Sequence, residues 1–222
     1  MSLKHTRPAD IERASMEIIT RELAERRMVP APGTEAVVKR VIHTTADFDY
    51  GTSLRFTPGA VERGVEALRR GTAVITDTNM ARAGVSKPAL AHLGGEVHCL
   101  MAEEAVADAA RARGTTRAAV CMEEALRRWP GGILAVGNAP TALLRIAALL
   151  EEGARPALVI GVPVGFVNVV ESKERLLAAC EAHGVPAIVA LGRKGGSNVA
   201  AAICNALLYL AEDTLDPVRR GW

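Results

Sequence analysis

His43, in the stretch RVIHTTADFDYG, is the side chain of this 222-residue sequence best suited to move a proton near neutral pH. Asp47 and Asp49 follow closely and supply anions that would favour the charged imidazole. A second cluster is ALGRKGGSNVAA, residues 190 to 201. Here Arg193 and Lys194 bring two cations, the following glycines let backbone approach a ligand, and Ser197 opens a helical pattern with free N–H groups. Such a segment is an anion cradle, or else a solvated turn whose glycines close a strand onto a helix; alone it weighs the two equally. Asn138 with Thr141, and Ser172 with Lys173, repeat the polar pattern in other loops. That repetition favours a large polyacidic ligand over a single phosphate.

Other chemistries lack their residues. Neither GxxxxGK[ST] nor a GxGxxG after the first apolar run is present, which disfavours nucleotide binding, and GxSxG is missing too. His98 and Cys99 are neighbours on an expected strand and face opposite sides. Asp47 and Asp49 have no matching His/Cys set for a metal, so a solvated loop, or an ion pair with Arg40 or Arg55, is the simpler reading. His5 suits a chain end, His92 a turn and His183 a helix C-terminus. The four cysteines show no ligand or disulfide spacing and are expected as reduced, buried thiols. A net charge of +2 argues against nucleic acid as partner, and no apolar run reaches the roughly 18 residues of a membrane span. The start, MSLKHTRPADIER, lacks a signal-peptide core, so a cytoplasmic protein is expected.

These residues need elements to hold them. Apolar runs at AVVKRVI, TAVIT, EVHCL, GILAV, PALVIGV and PAIVAL predict six strands, separated by helical periodicity. A helix is expected from about Ala9 to Arg27, another after Thr57-Pro58, and further helices after Asn138 and around Ser172, the last stopping at His183-Gly184. A break near Gly114 divides the helical material of residues 107 to 129. With 49% apolar residues, the chain can bury one substantial core, and 1–222 is read as a single domain. Strands alternating with helices imply a three-layer α/β fold: a mainly parallel, doubly wound sheet with helices on both faces. In such sheets ligands sit beyond the carboxyl ends of the strands, where strand order reverses. The clusters above all follow expected strands, and so converge on one edge.

Taken in order, RVIHTTADFDY, TDTNM, AVGNAPTAL, PALVIGVPVGFVNVVESKE and GRKGGSNVAAAICNAL resemble the precorrin-8X methylmutase family of cobalamin (vitamin B12) biosynthesis, over about Asp10 to Glu212. The resemblance implies a flavodoxin-like fold, a homodimer, no cofactor or metal, and an isomerase that moves a methyl group from C11 to C12 of a tetrapyrrole polycarboxylate. By motif matching it carries catalysis to His43 and ligand contact to Arg40, Thr44, Arg117, Ser172, Lys173, Arg193 and Lys194. The loop at Asn168 departs from the family, which carries smaller residues there. Two other functions remain to be weighed: a non-catalytic tetrapyrrole carrier, which would have no use for a titrating His43, and a nucleotide-dependent Rossmann-like enzyme, for which Asp77 is placed but the glycine-rich turn is lacking.

Overall fold

The computed structural model describes residues 6–220; His5 and Trp222 lie outside them. Helices α1 (Pro8–Glu25), α2 (Glu35–Thr45) and the short α3 (Tyr50–Ser53) precede the first strand, β1 (Leu54–Phe56). Then come α4 (Ala60–Arg69), β2 (Val74–Thr76), α5 (Asn79–Gly84), α6 (Lys87–His92), β3 (Val97–His98), α7 (Glu104–Ala112) and α8 (Arg117–Arg128). The chain continues through β4 (Ile133–Val136), α9 (Pro140–Glu151), β5 (Leu158–Gly161), α10 (Val169–Ala182), β6 (Ala187–Ala190) and α11 (Ser197–Ala211), to a 3-10 turn at Pro217–Arg220.

The six strands form one sheet in the order β1-β6-β5-β4-β2-β3, in which only β1 runs antiparallel to its neighbour. Strand order reverses between β2 and β4, because β3 lies outward on one side while β5 and β6 continue on the other. Alternate strand residues face opposite layers. Val74, Ile133, Leu158, Ile160 and Ile188 pack with α1, α2, α4 and α11. Ile75, Leu134, Val136, Val159 and Val189 pack with α7, α8, α9 and α10. The mainly parallel three-layer expectation is therefore met.

One element differs. AVVKRVI forms α2 rather than a strand, and the chain's actual β1 is the short LRF segment. Its buried residues Val37, Val38, Val41 and Ile42 lie at i, i+1, i+4 and i+5, which is one face of a helix. The β-branched composition suggests a strand, but burial of that face, roughly 1.5–3 kcal/mol per fully buried side chain, outweighs a propensity difference of a few tenths. The helix after Thr57-Pro58 starts at Ala60, and the Thr57 hydroxyl instead accepts from the Ala187 N–H at 2.8 Å.

The antiparallel direction of β1 rescues the expected placement. Leu54 pairs with Ala190 at the carboxyl end of β6, so the loop entering β1 lies at the same rim as the loops leaving the parallel strands. Asn168, where the family motif is departed from, sits at φ 57°, a left-handed position that asparagine tolerates better than most residues.

Candidate active site

His43 lies in the last turn of α2 and not at a strand end. It is half-buried in the wall of an open cavity of about 510 Å³ between α1 and α2, lined mainly by Ile11, Ile18, Ile19, Ile42 and Phe48. Nδ1 is 2.8 Å from the hydroxyl of Ser15 on α1. Among the described residues only this ring nitrogen has a partner, which leaves the other for a ligand. One turn earlier on each helix, Arg40 donates to Glu12 at 2.6 Å. Burial pushes the His43 pKa below its ordinary value; the Arg40 charge adds to this, Glu12 opposes it, and Arg220 adds a smaller push downward. The free protein thus keeps this imidazole mostly neutral at pH 7.

Asp47 and Asp49 do not set that charge. Both carboxylates accept from the Lys194 ammonium at 2.6 Å, which holds Asp47 below the usual carboxylate range and Lys194 above its own. This pairing ties the loop after His43 to the cradle segment. It also replaces the expected ion pairs of these acids with Arg40 or Arg55.

The cradle is built differently from a bare anion site. Lys173 is fully buried on α10, and its ammonium donates to the carbonyls of Gly192 and Lys194, each at 2.8 Å. Removal from water lowers its pKa to about 8. Ser172, equally buried, donates to Val169 O at 2.9 Å. Gly195 is required by close packing: a Cβ there would lie 2.1 Å from Val162 O. Arg193 is exposed, with its guanidinium 5.6 Å from the centre of the Phe166 ring. Among the described residues it is the cradle cation that neither an ion pair nor burial consumes.

At the switch point, the protein fills its own crevice. Asp77, after β2, accepts from the backbone N–H groups of Gly137, Asn138 and Ala139 at 2.8, 2.9 and 2.8 Å. Burial pushes its carboxyl up, while those three donors pull it down. The Ser197 hydroxyl is 2.8 Å from that of Thr78, and a Cβ on Gly137 would meet Ser197 Cα at 2.7 Å. Thr141 pairs with Thr116 at 2.8 Å, which sets the exposed Arg117, at the start of α8, beside the first turn of α9. Asn138 and Thr44 are exposed, and Thr44 donates to Arg40 O at 2.9 Å.

Sequence reasoning missed Ser15, Glu12 and Arg220. A polar residue at every third or fourth position of an amphipathic helix looks like a solvated face, and only the packing of α1 on α2 turns Ser15 and Glu12 inward. Among the described residues no group of His, Cys, Asp and Glu could hold a metal. Among the described residues, too, no helix is long and apolar enough to cross a membrane.

A family model described as precorrin-8X methylmutase matches residues 10–210. The cobalt-precorrin-8 methylmutase of Salmonella typhimurium (strain LT2) is 47% identical over 206 residues, covering 91% of this chain and 95% of its own. That of Priestia megaterium is 44% identical over 209 residues, covering 92% and 89%. The crystal structure of precorrin-8X methyl mutase from Thermus thermophilus superposes with a TM-score of 0.82 at 42% identity, over 92% of this chain and 96% of that one. The chain belongs to the precorrin-8X methylmutase family.

Proposed function

We propose that His43 is the general acid of this chain's reaction, facing a tetrapyrrole seated over the α1–α2 cavity while Arg193 and Arg117 receive peripheral carboxylates. Family membership makes the chain an isomerase of cobalamin biosynthesis. Its relatives are named for precorrin-8X or cobalt-precorrin-8, and the reaction implied here is migration of a methyl group from C11 to C12. Substrate and product are isomers, so no electrons and no net protons are exchanged.

The observation that carries this reading is the Ser15–His43 hydrogen bond at the wall of an open, mainly apolar cavity. It orients the imidazole and leaves a ring N–H to polarise the conjugated macrocycle, so that the methyl shifts in concert. Ile11 and Ile18 stay partly exposed beside it, offering apolar surface for the ring. A substrate rich in carboxylates supplies the missing charge: its anions raise the His43 pKa and protonate the acid as the complex forms. Positioning and electrostatics then account for catalysis without a covalent step. A carrier would need the cavity but not the aligned imidazole.

We also infer a homodimer, supported by the apolar α1 surface, and a cytoplasmic setting, supported by four unpaired cysteines. Sedimentation velocity tests the dimer. For the acid, His43→Ala should lower turnover of precorrin-8X by about 10²–10⁴-fold in a folded protein. Wild-type turnover by that variant would refute the role.

A further inference from the structure

The C-terminal segment LDPVRRGW carries no catalytic motif, yet its Arg220 is tied to the site. The Arg220 side chain is only 8% exposed and donates to Glu12 Oε1 at 2.6 Å, the same oxygen that receives Arg40. Both guanidinium groups lie over the Tyr209 ring of α11, at 4.2 Å for Arg220 and 5.1 Å for Arg40. Burial disfavours the Glu12 carboxylate, but the hydrogen bonds from Arg220 and then Arg40 overcome this and hold Glu12 below its usual range.

Glu12 and Ser15 are three residues apart on α1, and Arg40 and His43 are three apart on α2. Residues so spaced share a helix face. The two helices therefore meet through two stacked contacts, Glu12 with Arg40 and Ser15 with His43. A guanidinium from the far end of the chain locks the first of them.

We propose that Arg220 is a positioning residue for His43: by clamping Glu12 against Arg40 it fixes the turn of α1 that presents Ser15 to Nδ1. This rests on the reading of His43 as the acid. The 3-10 turn at Pro217–Arg220 packs on α1, so the chain end acts as a strap across the helix that forms one wall of the cavity. Deleting one cation from a shared carboxylate leaves the other in place, and the pair should loosen rather than collapse. The charged groups around His43 are Glu12 and Glu22 of α1, Arg40 of α2, Arg220 of the turn, and Arg26, which donates to Glu22.

The test is the titration of His43 by NMR in ligand-free protein, with turnover measured in parallel. Removing positive charge in Arg220→Gln should shift the His43 titration upward, and removing negative charge in Glu12→Gln should shift it downward. Turnover should fall roughly ten- to a hundredfold in Arg220→Gln, with kcat affected more than KM, as expected when a catalytic group is misplaced. Arg220→Lys, which keeps the charge, should titrate close to wild type and recover part of kcat. A kcat in Arg220→Gln equal to wild type, or a His43 titration in that variant that coincides with wild type, overturns the proposal. If Arg220→Gln does not fold, Glu12→Gln, which removes the acceptor that Arg220 clamps, decides: a kcat equal to wild type in that variant overturns the proposal. Because the titration needs no substrate, its outcome is independent of the His43→Ala assay.

Discussion

Two regions of the molecule offer a ligand a place to bind, and they are furnished in opposite ways. At the switch point between β2 and β4, where a doubly wound sheet ordinarily opens a crevice, the Asp77 carboxylate takes three backbone N–H groups and Ser197 is bonded to Thr78. In the α1–α2 cavity, His43 has one nitrogen bonded and apolar walls around the other. The first region spends its polar groups on folding. The second keeps one in reserve, and that difference separates a structural anion site from the catalytic site proposed here.

Mutations can break this contrast. The largest effect is expected at Asp77: Asp77→Ala orphans three backbone donors, one of them fully buried, and should cost about 3–5 kcal/mol of stability in urea unfolding. His43→Ala should cost about 1 kcal/mol or less in the same measurement. Equal losses at the two positions would remove the distinction.

Lys173 sharpens it next. Lys173→Met leaves the Gly192 and Lys194 carbonyls without their donor and should weaken corrinoid product binding about tenfold, measured by absorbance titration. The same lysine gives a pH signature. Its folded pKa of about 8 lies below the 10.5 of an exposed lysine, so the unfolded chain binds more protons between those values. Stability should therefore rise with pH across that window in the wild type and not through this position in Lys173→Met, so the cost of the substitution should grow with pH there.

Arg193→Ala should weaken product binding severalfold, more at low salt than at high. A salt-independent loss would point to the stacking on Phe166 instead of to carboxylates. The smallest effect is proton uptake on binding. The free His43 pKa is depressed and a polyanion raises it, so the apparent binding enthalpy should differ between buffers of different ionisation enthalpy. The same sign makes kcat/KM fall with rising pH before kcat does.

The carboxyl-edge convergence of the loops was legible because glycine, proline and polar residues punctuate short apolar runs. TAVIT, GILAV, PALVIGV and PAIVAL each contain a strand, and the breaks at Gly114 and His183 fall where helices end. AVVKRVI misled because three valines and an isoleucine satisfy both a strand composition and a helical face. The cradle was legible as a cluster but not as a division of labour, since Lys173, Lys194 and Arg193 read alike in one dimension.

By itself, the sequence determined the layered α/β class and the family motifs, because these depend on local periodicity and residue order. Tertiary structure alone decided which charges are free. Whether a cation meets carbonyls, carboxylates or solvent is set by residues elsewhere in the chain: Asp47 for Lys194, Gly192 for Lys173, and Glu12 for Arg220 across 208 positions. Burial and pairing are properties of three-dimensional neighbours, and they fix how much of each formal charge a substrate can meet.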